Sequence, residues 1–137
     1  MNIKNKSLLI NKCYVNGAWV SSDKKIKVIN PATGELIAEV PNFGKKETIN
    51  AIDAAELAFK SWSKFTAHER SKILKKWYEL VIDNQDDLAT IMTAEQGKPL
   101  SEAKGEIVYA ANFIEWFAEE AKEFTEMFLL IPLKINE

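Results

Sequence analysis

The chain has 137 residues, of which 47% are hydrophobic and 28% charged, and its formal net charge at pH 7 is −2. This balance is ordinary for one globular domain, it provides no basic surface for nucleic acid, and the single cysteine excludes an internal disulfide framework. Because no apolar segment is long enough for a secretory signal or a membrane span, we expect a soluble, cytoplasmic protein without membrane partners.

The first third of the chain is predicted to form two β-hairpins. Asn16-Gly17 lies between two short apolar runs, and this dipeptide favours a type I′ hairpin turn. The segment Asn30-Pro31-Ala32-Thr33-Gly34 is expected to turn the chain a second time, since proline fixes φ and glycine tolerates positive φ.

From Lys45 onward the apolar period becomes helical, and about four helices are expected. Thr66-Ala67-His68-Glu69 is a capping-box pattern, which predicts the start of the second helix. Gly97, placed just before Lys98-Pro99, is expected to end the third helix.

The limits of the third and fourth helices are predicted from single residues. Asn84 or Asp86 is expected to start the third helix, and Ser101 to cap the fourth. The fourth helix is expected to run out near Phe124, where an apolar stretch without period begins.

Large apolar side chains recur at helical spacing and are predicted to form the core of these helices. The alternative is that the aromatic members line a ligand cleft. The apolar residues at helical spacing are Ile49, Ile52, Phe59, Trp62, Ile73, Leu74, Trp77, Leu80, Val81, Ile107, Phe113, Ile114, Trp116 and Phe117.

Three side chains are capable of chemistry, and the sequence around each favours a structural role. Cys13 has only Lys12 beside it, whereas an activated thiol needs a base or a cationic surrounding. His68 lies in the solvated first turn of a helix, and Glu95 is expected at the surface. The residues alone predict a soluble α/β protein without an active site.

Four stretches resemble the N-terminal part of aldehyde dehydrogenases. They are INPATGELIAEVP at 29–41, AIDAAELAFKSW at 51–62, the run from His68 to Trp77, and IMTAEQGKPLSEAKGEIVYAANFIEWFAEEAK at 91–122. The "EAKGEI" and "FIEWFAEE" segments resemble the succinate-semialdehyde (or glutarate-semialdehyde) dehydrogenase branch, and the resemblance covers about 11–122.

The resemblance implies an α/β fold that contains only the front of the family's architecture. Residues 1–45 would be N-terminal strands and turns, and residues 46–124 the helical part of the Rossmann-like cofactor-binding domain. The chain would be truncated before the main parallel sheet, and residues 125–137 would be an off-pattern tail.

The family oxidises an aldehyde with NAD or NADP through a thiohemiacetal on a cysteine. Its catalytic cysteine and glutamate, the asparagine of its "PWNFP" segment and its cofactor-binding glycines have no counterpart in this sequence. Cys13 aligns with the N-terminal hairpin and does not inherit the role of nucleophile. The resemblance therefore implies that the chain alone binds no cofactor and is inactive.

Two weaker features carry over from the family. A monovalent-cation site would use Val28, or Ile29, together with Glu95, and would lack a ligand from further along the fold. The helix around Tyr109, Ala110 and Phe113 would border the substrate entrance.

The terminal stretch EFTEMFLLIPLKINE is predicted to be out of frame. In the family, the "EWFAEEAK" helix is followed by a sequence like Arg-Ile-Tyr-Gly-Asp. A frame that starts at the last base of the Lys122 codon allows the following codons to spell that sequence, so a one-base insertion or deletion is placed near the Lys122 codon. Sequencing the gene beyond the codon for Ala121 tests this, because a shifted frame that closes at once would contradict it.

Three functions are compatible with these observations. The chain is an inactive N-terminal remnant of a semialdehyde dehydrogenase, a non-catalytic helical interaction module, or a stand-alone domain with a tryptophan-lined pocket. A remnant would self-associate through its exposed apolar faces, whereas a module would be monodisperse and bind a partner such as an intact dehydrogenase subunit or a separately encoded remainder. The choices between NAD and NADP and between semialdehydes depend on residues downstream.

Overall fold

A computed structural model describes the backbone of residues 1–129 and the side chains of residues 1–123. The elements are β1 (Cys13–Val15), β2 (Ala18–Val20), β3 (Lys25–Ile29), β4 (Leu36–Pro41), α1 (Lys45–Trp62), α2 (Ala67–Asp83), α3 (Gln85–Gln96) and α4 (Leu100–Leu129). None of the helices within the described residues is both long and apolar enough to cross a membrane. Most of the tail predicted to be out of frame, residues 130–137, lies outside the described residues.

Both predicted hairpins are present, as two separate antiparallel sheets of two strands each. Asn16 and Gly17 adopt positive φ angles of 49° and 78°, as a type I′ turn requires. In the second hairpin, the side-chain oxygen of Asn30 accepts the N–H of Ala32 at 2.9 Å, and Gly34 has φ 75°. The described residues contain no parallel sheet, which agrees with the truncated α/β architecture expected from the sequence.

Two of the predicted helix limits are confirmed in detail. At the start of α2, the N–H of Glu69 donates to Thr66 Oγ1 at 3.2 Å, and the N–H of Thr66 donates to the Glu69 carboxylate at 2.8 Å. This backbone hydrogen bond from Thr66 is the main reason why the pKa of Glu69 is lowered. At the end of α3, Gly97 adopts the left-handed conformation with φ 74°.

Other helix limits differ from the expectation. α4 begins at Leu100, and the N–H of Ala103 donates to the Pro99 carbonyl at 2.9 Å, so Ser101 lies inside the first turn and does not cap it. α4 also continues beyond Phe124 to Leu129, because the stretch 123–129 contains neither glycine nor proline and nothing in it stops a helix.

The core of the described residues is small and lies between α2, α3 and α4, with α4 packing against both of the other helices. Its centre is Ala89, Ala103 and Ile107, with Val81, Leu88 and Met92 packed around them. Alanine at these positions allows close approach of the helices, since a methyl group fills little space between two backbones.

The prediction that the large apolar side chains are core residues is wrong for most of them. α1 buries none of its residues, and α2 buries only Ser71. Packing within the described residues uses the alanine faces and leaves the aromatic faces without a partner. The large apolar side chains exposed on the helices are Ile49, Ile52, Leu57, Phe59, Ile73, Trp77, Leu80, Leu100, Tyr109, Phe113, Trp116 and Phe117.

Ion pairs join the surface of α4 to its neighbours. Glu119 accepts from Lys75 of α2 at 2.5 Å and from Lys122 at 2.9 Å. Lys122 and then Lys75 hold the pKa of the Glu119 carboxyl at about 2, well below its usual range. Lys104 of α4 pairs with Asp86 of α3 at 2.7 Å.

The low pKa of Glu119 predicts a specific pH dependence of stability. A carboxyl whose pKa is lower in the folded chain than in the unfolded chain stabilises the fold above about pH 4.5, and this contribution is lost as the pH falls toward about 2. Glu119→Gln is therefore expected to melt below the wild type at pH 7, with a difference that shrinks as the pH falls through this window. Thermal unfolding followed by circular dichroism measures the difference.

The adjacent Glu120 provides the control for this prediction, because it is exposed and takes no part in the Lys75–Glu119–Lys122 pairing. Glu120→Gln is expected to melt within a small, constant difference of the wild type across the same pH range. A Glu119→Gln deficit that persists unchanged at pH 2 would contradict the prediction.

Candidate functional site

Two of the three residues predicted for a cation site line one cavity. Val28 on β3, which is half-buried, and Glu95 near the end of α3, which is exposed, both face a cavity of about 330 Å³. The rest of its lining is mainly apolar and comes from residues 8–11, β4 and Ile91. The second hairpin and α3 are thus brought together at this point, although they are distant in sequence.

Ile29, the alternative to Val28, is exposed and does not line the cavity. A register shift between Val28 and Ile29 interrupts the pairing of β3 with β4 beside the cavity. A monovalent cation is commonly held by carbonyl and carboxylate oxygens, and the pair of Val28 and Glu95 fits such a donor set in part. Within the described residues, no group of three or more histidine, cysteine, aspartate or glutamate side chains could hold a metal ion.

The predicted substrate-entrance helix carries an open aromatic groove. Tyr109 and Phe113 on α4 contact each other edge to face, with ring centroids 5.0 Å apart. Together with Asn112, Trp116 and Phe117 they line a surface groove of about 330 Å³. Ala110 is exposed but does not line the groove.

Asn112 is a groove residue that the sequence did not indicate. It supplies a side-chain amide within an otherwise aromatic lining. Asn112 lies three residues after Tyr109 and four before Trp116, about one helical turn from each, so the helical period could have identified it.

Cys13 lies in a different part of the molecule and has no activating neighbour in its cavity. The half-buried thiol lines a cavity of about 470 Å³ between the first hairpin and the start of α1. The other lining residues are Val15, Val20, Ser21, Phe43, Glu47, Thr48, Asn50 and Ala51. This lining contains no histidine, lysine or arginine, so it provides neither of the surroundings that activate a thiol.

Comparison with known protein families gives one match, to the aldehyde dehydrogenase family, over residues 19–133. The chain belongs to the aldehyde dehydrogenase family. The match includes both the second hairpin and α4, and it extends past Lys122, where the resemblance seen in the sequence ended.

Two relatives of the chain are semialdehyde dehydrogenases by name. The chain is 58% identical over 124 residues to a glutarate-semialdehyde dehydrogenase of Pseudomonas putida, covering 89% of this chain and 26% of the relative. It is 50% identical to the NADP(+) succinate-semialdehyde dehydrogenase GabD of Escherichia coli, with the same coverage of both chains. The chain thus spans about a quarter of the length of these relatives.

Solved structures give the same result. An aldehyde dehydrogenase from Brucella melitensis biovar abortus superposes with a TM-score of 0.87 at 52% identity, over 90% of this chain and 26% of that one. A betaine aldehyde dehydrogenase from Staphylococcus aureus, solved with NAD+, superposes with a TM-score of 0.78 at 30% identity, over 83% of this chain and 24% of that one. Homologues in the family therefore use NAD or NADP.

The comparisons place this chain at the N-terminal part of an aldehyde dehydrogenase close to the succinate-semialdehyde dehydrogenases. They confirm the family and the fold expected from the sequence. The cation site at Val28, Ile29 and Glu95 and the substrate entrance at Tyr109, Ala110 and Phe113 stay predictions.

Proposed function

We propose that this chain supplies the N-terminal portion of an NAD(P)+-dependent semialdehyde dehydrogenase, and that it does not catalyse the oxidation by itself. The observation that carries the proposal is the 58% identity to a glutarate-semialdehyde dehydrogenase over 124 residues, which amount to only 26% of that enzyme. The parent reaction would convert a semialdehyde to the corresponding dicarboxylate.

The surroundings of Cys13 support the second half of the proposal. Oxidation by this family requires a thiolate nucleophile, a base for thioester hydrolysis and a bound nicotinamide cofactor. Cys13 is the chain's one cysteine, and its cavity offers no cationic or imidazole side chain. In this proposal Cys13 packs beside α1, and the reacting residues are provided by the other part of the fold.

The purified chain is expected to produce no NAD(P)H from succinate semialdehyde or glutarate semialdehyde with either NAD+ or NADP+. The absorbance of the reduced cofactor measures this directly, with a Cys13→Ser variant as the matched control. Turnover by the wild type that Cys13→Ser abolishes would contradict the proposal, since Cys13 would then be a working nucleophile. If turnover is the same in Cys13→Ser, it does not need the thiol and is therefore not the cysteine-dependent reaction of this family.

The second candidate function is a non-catalytic helical interaction module. The exposed apolar faces of α1 and α4 favour it, because contiguous exposed apolar surface marks interaction sites. A monodisperse chain with cooperative unfolding would support an independent module, whereas dye binding and self-association would support a portion of a larger fold.

A further inference from the structure

The turn of the first hairpin is an Asn-Gly sequence, in which an asparagine is chemically less stable than it is before a larger residue. Asn16 and Gly17 are both exposed. Within the described residues, the side-chain amide of Asn16 forms no hydrogen bond. A Cβ atom added at Gly17 would meet nothing within 4 Å, so the backbone nitrogen of Gly17 is unhindered by its own residue and by its surroundings.

Two other asparagines lack this combination. Asn30 in the second turn is half-buried, and its side-chain oxygen accepts a backbone N–H at 2.9 Å. The next residue is Pro31, which has no N–H. Asn42 is exposed but is followed by Phe43, whose side chain crowds the backbone nitrogen. Asn16 therefore differs from both in placing a free amide beside an unhindered N–H.

The first hairpin is also small enough to open locally. Its strands, β1 and β2, have three residues each and form a sheet of two strands within the described residues. A two-stranded hairpin is marginally stable in water, so its free energy of opening is low. Each opening gives Asn16 the backbone freedom that closure of a ring with the next residue requires.

We propose that Asn16 is a site of spontaneous deamidation, and that its product opens the first hairpin and exposes the Cys13 thiol. The backbone nitrogen of Gly17 attacks the side-chain carbonyl carbon of Asn16 and loses its proton to water. The new C–N bond closes a succinimide ring, and the side-chain nitrogen leaves as ammonia. Water then adds to one of the two ring carbonyls and opens the ring to aspartate or to isoaspartate. Water is the one co-reactant, and nothing is oxidised or reduced.

Isoaspartate disrupts the hairpin because it adds one carbon atom to the backbone of the turn. A two-residue turn sets the register of its strands, here the pairing of Val15 with Ala18 and of Cys13 with Val20. Cys13, Val15 and Val20 also form one wall of the cavity of about 470 Å³ beside α1. Loss of the pairing separates this wall from α1 and gives solvent access to the half-buried thiol.

The test follows the full chain during incubation under native conditions at mildly alkaline pH. Mass spectrometry of a peptide digest measures the conversion of each asparagine, and ion-exchange chromatography separates the more acidic products. We expect Asn16 to convert at least tenfold faster than Asn42 in the same sample. A chromogenic disulfide reagent is expected to label Cys13 at least threefold faster in the isoaspartate fraction, because the rate of thiol exchange depends on access.

Asn16→Gly is the matched variant, since glycine supports the same turn but has no amide to lose. Its circular dichroism spectrum and its initial labelling rate are expected to equal those of the wild type, and this rate is expected to stay constant during incubation. The comparison of Asn16 with Asn42 needs no variant, and conversion of Asn16 no faster than Asn42 overturns the proposal. Labelling that rises equally in Asn16→Gly, or that is unchanged in the isoaspartate fraction, overturns the link to Cys13.

Discussion

Ala111→Leu is expected to lower the free energy of unfolding by about 1 to 3 kcal/mol, because it forces a larger side chain into a closed helix interface. Ala111 is fully buried on the face of α4 that packs against α2 and α3, as are Ala103 and Ala118, each about two helical turns from the next. Leucine places an isobutyl group where only a methyl group fits. The helices must then separate or adopt strained rotamers.

The adjacent Ala110 is a close control, since it has the same side chain on the same helix but is exposed. Ala110→Leu is expected to change the free energy of unfolding by less than about 0.5 kcal/mol. Urea unfolding followed by circular dichroism gives both values, and an unchanged slope with denaturant shows that the same surface is exposed on unfolding. Equal effects of the two substitutions would mean that α4 does not pack by its alanine face.

The two faces of α4 show what the sequence pattern reveals and what it hides. Helical spacing correctly indicates that Ile107 belongs to a buried stripe. The same spacing also suggests burial of Phe113 and Trp116, which are exposed on the opposite side. Periodicity shows that a helix face is apolar, but it does not show which face packs against another helix of the chain. The large aromatic residues were therefore predicted to be core residues, although the buried positions are mostly alanines.

Local features were predicted with more success, because their causes lie within a few residues. The Asn16-Gly17 turn and the Thr66–Glu69 capping box depend on backbone conformation and hydrogen bonds inside each segment. The pairing of Val28 with Glu95 in one cavity depends on how the second hairpin meets α3. Residue chemistry alone gave no sign of that contact, and it entered the sequence interpretation only through the family resemblance.

Asp87 is the clearest example of a non-local contact without a sequence signal. It is 8% exposed in the first turn of α3, next to the exposed Asp86. Its two carboxylate oxygens accept the backbone N–H groups of Lys4 at 2.9 Å and Asn5 at 2.7 Å. The contact holds the N-terminal segment, including the buried Ile3, against the helical unit.

Asp87→Ala is expected to lower the free energy of unfolding by about 1.5 to 3 kcal/mol, the range for hydrogen bonds to a charged group. The substitution leaves two partly buried N–H groups without their acceptor, and it releases residues 1–5 before the rest of the chain unfolds. Tryptic cleavage after Lys4 and Lys6 is therefore expected to become faster under native conditions. Urea unfolding measures the first effect, and mass spectrometry of the digest measures the second.

Asp86→Ala is the control that separates the two hydrogen bonds of Asp87 from the general effect of removing a negative charge from α3. Both aspartates lie in the first turn of α3, so both substitutions remove one favourable interaction with the helix dipole. Asp86 otherwise contributes an exposed ion pair with Lys104, which solvent screens, and a weaker electrostatic attraction to Lys4. If Asp86→Ala accelerates cleavage at Lys4 as much as Asp87→Ala does, the N-terminal segment is held by the charge of α3 and not by the two hydrogen bonds.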